Sequence, residues 1–516
     1  MQKYIRFTVF ASGMVTLAAE MSASRLLGGF FGDSNLVWAS IIGLILIYLA
    51  VGYLVGGRWA DQYPRTKTMY HILAWGAFAL GLVPFVSQPI LHTAAAAFDN
   101  LQLGPLLGSF VSVLILFSLP ITLLGTISPF AIRLSLKDTH QAGNIAGTLY
   151  AISTAGSFLG TFLPVLFFVP LIGTIRTFLS FSLFLVCVAL LGLKLDAGWR
   201  AALPYAWMPI LLVLAFIWGI GPLKQSAGQI YETESAYNYI QVVEHDEYRY
   251  LRLNDGQGVH SVYHPTVLYY HGPWEQFLVG PLFNPPPYPP ENVKRMAILG
   301  LAAGTAARQA SQVYGAIPID GYEIDPAIVE VGRTYFDMNM PNLNVHVQDG
   351  RWGLAHSPYT YTIIAVDAYR PPYIPWHMTT QEFFLIAYNH LTKDGVLTIN
   401  AGSTPGDRRL INGLATTLAT VFPSVHIMDI PNSLNTMIYA TKQPTHAQNL
   451  AANLMLLYPR SDINPLLLTV SQNTLINLTP GYETSTVFTD DRAPIEWIVN
   501  DMVVHFVLSG KTETLR

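Results

Sequence analysis

The residues best suited to chemistry lie between positions 300 and 367 of the 516-residue chain. Gly300-Leu-Ala-Ala-Gly304 follows a short apolar strand pattern and leads into a helical pattern, and Glu323 ends the next strand pattern 19 residues after Gly304. Small residues in such a loop let backbone approach a ligand, and a carboxylate at that spacing accepts both hydroxyls of a ribose. Asp349-Gly350 and Asp367 end two further strand patterns, and a carboxylate at the first of these positions suits an adenine amino group. One acidic strand end is common in structural loops, where the side chain caps a helix. Three in register with a small-residue loop point instead to a nucleoside-type pocket.

The surrounding pattern supplies the elements to position them. Strands are predicted at Met296–Leu299, Ile317–Glu323, Val345–Gln348, Ile363–Val366 and Val396–Asn400, and helices at Gly304–Tyr314, Pro326–Tyr335 and Gln381–Leu391. Strand–helix alternation demands crossovers, hence a mainly parallel, doubly wound, Rossmann-like sheet whose ligands sit at the carboxyl ends of the strands. Upstream, the alternation Tyr239–Glu244 and Tyr248–Leu253, broken by Asn254-Asp-Gly, predicts a β-hairpin with a type I′ turn. The run Asn284–Pro290 reads as a stiff polyproline linker. The expected domains are therefore 1–224, 225–285 and 286–516.

The first of these is a different material. The chain is 51% hydrophobic and only 12% charged, against roughly 25% charged in an average soluble domain. Residues 1–224 hold 12 Lys+Arg and 6 Asp+Glu, and residues 225–516 hold 16 and 26. An acidic second half without a basic run argues against nucleic acid, and the single Cys187 excludes a disulfide framework. A membrane helix needs about 20 mostly apolar residues. Seven spans are expected, near Phe7–Phe30, Leu36–Gly56, Met69–His92, Leu106–Phe130, Ile145–Val169, Thr177–Leu193 and Ala202–Gly221. With the N-terminus in the cytoplasm, nine basic residues fall inside (Lys3, Arg6, Arg58, Arg65, Lys67, Arg133, Lys137, Lys194, Arg200) and three outside (Arg25, Arg176, Lys224). That asymmetry follows the positive-inside rule and, with an odd number of spans, sends residues 225–516 to the extracytoplasmic side of a bacterial inner membrane.

Other features point less far. Glu20 within the first span is costly unless paired, and a structural pair with Arg25 or Arg133 is preferred over a substrate or proton site. Gly52–Asp61 resembles the Gly-rich, Arg/Asp-bearing loop of major-facilitator transporters, although seven spans fall short of that family's twelve. His260, His264 and His271 lack the helical spacing of a metal site and read as ordinary histidines, so no metal is expected. The run Tyr369–Trp376 suits either a lid or a rigid loop. Neither a Ser nucleophile elbow nor a phosphate-binding P-loop occurs.

Taken together, Ala297–Gly304, Gly321–Pro326, Val347–Gly350, Ile363–Asp367, Thr379–Phe384 and Leu391–Val396 resemble spermidine synthase. With Glu20–Leu27, Gly56–Asp61 and Thr489–Glu496 the resemblance extends to the membrane-fused bacterial spermidine synthase-like proteins and covers nearly the whole chain. It implies an aminopropyltransferase fold that binds decarboxylated S-adenosylmethionine or methylthioadenosine, with Glu323 on the ribose, Asp349 and Gly350 on the adenine, and Gly300 and Gly304 at the backbone approach. It also adds Ala303, Asp325, Asp367, Tyr369, Trp274 and Glu275 as candidate pocket residues.

The departures fall on the chemistry. The family's Gly-Gly-Gly-Asp-Gly-Gly reads Gly300-Leu-Ala-Ala303-Gly-Thr305 here, and its Asp-Ser-Ser-Asp-Pro reads Asp367-Ala-Tyr-Arg370-Pro371. The carboxylate that contacts the propylamine arm is thus Ala303, the catalytic Asp aligns with Arg370, and the Tyr-Gln pair lining the amine groove corresponds to Trp274-Glu275. A guanidinium stays protonated and repels a diammonium substrate. Three functions follow as expectations. The first is a tethered aminopropyltransferase or other S-adenosylmethionine-type transferase. The second is a catalytically silent domain that binds a nucleoside, a polyamine, a second copy or a membrane-protein partner. The third is a transporter with a ligand-sensing domain.

Overall fold

The computed structural model describes residues 1–31, 35–101, 104–136, 139–219, 226–254, 258–368, 374–404, 406–479 and 481–508. The chain divides into two compact units, one of residues 1–227 with 232–240 and 254–256, the other of residues 228–231, 241–253 and 257–516.

The first unit is helical: α1 (Gln2–Phe31), α2 (Asn35–Gln62), α3 (Thr66–Leu101), α4 (Gly104–Gly125), α5 (Ile127–Ser135), α6 (Ala142–Leu163), α7 (Val169–Ala197), α8 (Trp199–Ala202) and α9 (Trp207–Trp218). Among the described residues five stretches are long and apolar enough to cross a membrane: Val37–Gln62, Thr66–Leu91, Leu107–Ser135, Ala142–Ala197 and Trp199–Trp218. Six of the seven expected spans overlap these five. Two of them run on through a π-helical turn, Pro164–Phe168, as one stretch that kinks at Gly173.

The remaining one, the first expected span, corresponds to α1 and falls outside the five. Its polar and small residues lower its hydropathy, yet one face is deeply buried because it lies against α6. A Cβ at Gly156 or Gly160 would come within 2.1 Å of Phe10 O or 2.0 Å of Met14 O, so only small residues allow this approach. Gly52 and Gly56 do the same for α2 against Thr122 and Thr126. Asp61, at the end of that glycine-rich segment, pairs with Arg133 at 3.1 Å. Arg133 is therefore not the partner foreseen for Glu20.

In the second part of the chain β1 (Gln229–Glu234), β2 (Tyr239–His245), β3 (Tyr248–Leu253) and β4 (Val259–Tyr263) form one sheet in that order. The hairpin joining β2 to β3 turns at Asp246 and Glu247, both with positive φ, as a I′ turn requires. The turn expected at Asn254-Asp-Gly follows β3 instead; Asp255 and Gly256 lie outside the described residues. The segment foreseen as a polyproline linker is packed. Asn284, Tyr288 and Pro290 are buried, and Asn284 Nδ2 donates to Asp394 O at 2.9 Å. Three consecutive prolines make the backbone stiff, but Phe283, Tyr288 and Val293 give that stiff backbone a core to bury against.

The second sheet follows from β5 (Met296–Leu299), α10 (Thr305–Tyr314), β6 (Ile319–Glu323), α11 (Pro326–Tyr335), β7 (Leu343–Val347), α12 (Gly350–Ala355), β8 (Tyr361–Val366), α13 (Gln381–Asn389), β9 (Leu391–Gly402), α14 (Arg409–Ala419), β10 (Ser424–Asp429) and β11 (Asn435–Thr441), with α15 (Ala447–Leu457), α16 (Pro465–Ile476) and α17 (Ile495–Leu508) after it. Its order is β10-β11-β9-β8-β5-β6-β7. Five strands are parallel, and β11 and β10 add an antiparallel edge. Both faces are covered: Met296 and Ile298 enter one core cluster, Ala297 and Leu299 the other. Continuous apolar strands are what a doubly covered parallel sheet needs.

Candidate functional site

Successive parallel strands run outward in opposite directions from β5, toward β6 and β7 on one side and β8 and β9 on the other. The switch point lies between β5 and β8, and in a doubly wound sheet a ligand sits at the carboxyl ends of the strands at such a point. The structure brings the predicted loop and the first and last of the acidic strand ends there. Gly300 has φ +89°, and a Cβ on it would stand 2.6 Å from both Ala368 N and Asp367 O. Gly304 has φ +85°, and a Cβ on it would stand 2.6 Å from Met338 Cγ. Both positions therefore require glycine for conformation and for space.

Glu323 reaches from the end of β6 into this loop. Its Oε2 accepts from Ala302 N at 2.9 Å and its Oε1 from Asp325 N at 3.0 Å. Burial pushes its pKa up to about 7, with these two N–H donors opposing the rise. Asp325 is wholly buried and caps α11, accepting from Ala327 N at 3.0 Å. Ala303 is buried, and its N–H donates to Ser261 Oγ at 2.9 Å. Thr305 Oγ1 ties the same loop to the N–H and carbonyl of Val262.

Asp349 follows β7 and caps α12 through Trp352 N at 2.8 Å, while its Oδ2 lies 3.1 Å from His377 Nε2. That contact, first among its causes, holds the Asp349 carboxyl below the usual range. Gly350 packs closely, since a Cβ there would meet Met378 Cε at 2.8 Å. Asp367 ends β8 and accepts from Asn400 Nδ2 at 2.9 Å. Burial pushes its pKa up to about 7. Such a carboxyl exchanges its proton near neutral pH, as a general base must.

Trp274 and Glu275 are buried at the start of a short 3₁₀ turn. Glu275 accepts from Gly272 N at 2.8 Å and Gln309 Nε2 at 3.0 Å, and burial pushes its pKa up to about 7. Tyr369 and Arg370 lie outside the described residues. Of the three histidines, His264 Nδ1 accepts from Thr266 N and Val267 N, closing a local turn. His260 is pushed down to about 4 by burial, and so is neutral.

Sequence reasoning missed the residues that hold the site in place. Ser261, His377 and Asn400 carry no motif and are recognised only once the strands are assembled. Arg351 is held by both oxygens of Asp490, at 2.7 and 2.6 Å, and donates to His377 O at 2.8 Å. Thr380 Oγ1 also donates to Asp490, at 2.7 Å. The late Thr489–Arg492 segment thus braces the Asp349 end of the pocket, for which Asp490 in that segment was the available signal.

Known proteins share sequence with this part of the chain. The family profile "Spermine/spermidine synthase domain" matches residues 283–452. A probable polyamine aminopropyl transferase of Bifidobacterium longum (strain NCC 2705) is 32% identical over 284 residues, covering 52% of this chain and 61% of that protein. The chain thus spans less than two thirds of that relative's length. The polyamine aminopropyltransferase of Vibrio vulnificus (strain CMCP6) is 30% identical over 243 residues, 43% of this chain and 75% of that protein. A solved structure, a probable spermidine synthase from Corynebacterium glutamicum ATCC 13032, aligns with a TM-score of 0.39 at 18% identity over 51% of this chain and 98% of that one. With the Vibrio relative matched over three quarters of its length, the chain belongs to the polyamine aminopropyltransferase family, that of the spermine and spermidine synthases.

Proposed function

We propose that the chain is a membrane-anchored member of this family that binds decarboxylated S-adenosylmethionine or its methylthioadenosine product and transfers the aminopropyl group slowly or not at all. The observation that carries the binding half is the loop at the β5–β8 switch point, where Gly300 and Gly304 have positive φ and the Glu323 carboxylate accepts from the loop amide of Ala302. In this reading a ribose diol takes Glu323, at the end of β6, as its acceptor, and an adenine amino group takes Asp349, just past the end of the neighbouring β7. The membrane half of the proposal rests on the five long apolar stretches and on apolar side chains such as Leu46, Leu54 and Leu119 that stand exposed on the helical unit.

In aminopropyl transfer a diamine nitrogen attacks the carbon beside a sulfonium. The C–N bond forms as the C–S bond breaks, its electron pair returns to sulfur to leave a neutral thioether, and a base takes the amine proton. A cationic acceptor needs carboxylates around it. Position 303 offers a buried methyl group, and Arg370 brings a permanent cation to the position of the family's base. Asp367 favours a second reading, an active aminopropyltransferase, because burial raises its carboxyl to about 7 at the end of β8.

The test is product formation from putrescine and decarboxylated S-adenosylmethionine by the purified full chain. Turnover far below the usual range of about 1–10³ per second is expected. Any residual rate should vanish in Asp367→Asn. A rate within that range would overturn the silent-domain proposal.

A further inference from the structure

The helical unit carries two cavities that the transfer chemistry does not use. The larger, about 380 Å³, has apolar walls from Met21, Trp38, Phe162 and Leu166 and polar walls at Arg25 and Glu234. The smaller, about 290 Å³, is lined by residues 169–176 and by Glu232, Glu234 and Tyr239. Glu234 and Tyr239 therefore belong to both cavities, and each cavity has one arginine, Arg25 or Arg176.

Glu234 is held where the helix restarts after the Gly173 kink. It accepts from Thr174 N at 2.6 Å and from Thr174 Oγ1 at 2.5 Å. Burial pushes its pKa up despite those donors and the charge of Arg25. A ligand ammonium beside it would restore the charged form. Arg25 donates to Ala236 O. Arg176 Nε is buried and has no hydrogen-bond partner among the described residues. The polar end of this space thus offers guanidinium groups, which suit a phosphate, next to a carboxylate, which suits an amine.

The apolar side of the larger cavity continues outward. Phe158, Phe162 and Leu166 recur every four residues, share one face and are all exposed. A polar head in the cavity would place an attached hydrocarbon chain along that face.

We propose that this end of the helical unit binds an aminophospholipid, with its phosphate on Arg25, its ammonium on Glu234 and one acyl chain along Phe158, Phe162 and Leu166. The shared recognition chemistry is a phosphate ester bearing a primary amine. The assignment to a lipid rests on the membrane-anchored reading above; extraction of the full chain from membranes by alkaline carbonate alone would defeat that reading separately.

The full chain in detergent, exchanged into micelles containing equal phosphatidylethanolamine and phosphatidylglycerol, is followed by native mass spectrometry. Preferential retention of phosphatidylethanolamine is expected. Arg25→Gln should lower retention of both lipids by about tenfold, the value of one charge-assisted hydrogen bond. Glu234→Gln, which keeps an acceptor for Thr174, should abolish the preference while leaving phosphatidylglycerol bound. Displacement by glycerophosphoethanolamine at a concentration equal to the lipid would support the site and assign it to the soluble ester. Equal retention of the two lipids by the wild type, or unchanged retention in Arg25→Gln with wild-type thermal stability, would overturn the proposal.

Discussion

At the scale of residues, the site depends on groups that the fold places under constraint. Gly300→Ala would put a methyl group 2.6 Å from Ala368 N and Asp367 O at φ +89°. A destabilisation of about 1–3 kcal/mol is expected from strain at such a position, read as a lower thermal midpoint together with loss of nucleoside binding. The raised carboxyls make a second prediction. Glu323 moves from an ordinary 4.5 to about 7, and Asp367 from 3.8 to about 7, both because burial disfavours the charge. Each holds its proton to higher pH in the fold than in the unfolded chain. Their stabilisation is complete below the unfolded values and is lost as pH rises through about 7. The thermal midpoint should therefore fall between about pH 5 and about pH 8, and Asp367→Asn should flatten part of that fall. A midpoint that rises over this window would contradict the burial of these groups.

At the scale of elements, the brace from the late segment is open to test. Asp490→Asn removes a bidentate partner from Arg351 and should weaken nucleoside binding by about tenfold through the Asp349 end while Glu323 stays in place. Unchanged affinity would make the brace purely structural. The strand–helix alternation was legible because β5 and β8 are largely apolar runs followed by Gly300 and Asp367, and β6, although it carries Asp320, closes on Glu323; those closures are the candidate site itself. The β10–β11 edge escaped notice because its strands follow no motif and pair antiparallel. The linker at Asn284–Pro290 was misplaced because proline content reports stiffness and says nothing of burial. Trp274 and Glu275 were reached only through resemblance, and the structure shows Glu275 buried against Gln309. Helix α1 shows the limit of hydropathy. Its glycine and serine contacts with α6 are tertiary facts, invisible until the two helices are paired.

At the scale of the whole molecule, a helical unit of apolar exterior and an acidic α/β unit share one chain. The nine-to-three excess of basic residues over the expected spans predicts that protease added to spheroplasts reaches the C-terminal unit and spares the Arg58–Lys67 loop. The opposite pattern would return the α/β unit to the cytoplasm, beside the donor pool, and strengthen the reading of an active transferase. The central claim is narrower: the nucleoside half of the family site is retained. Its most direct test is calorimetric titration of the full chain with methylthioadenosine, in parallel with Glu323→Ala. Measurable binding is predicted for the wild type, weakened about ten- to a hundredfold in Glu323→Ala as the ribose diol loses a charged acceptor. Absence of binding to the wild type, or equal binding by both proteins, would contradict the account.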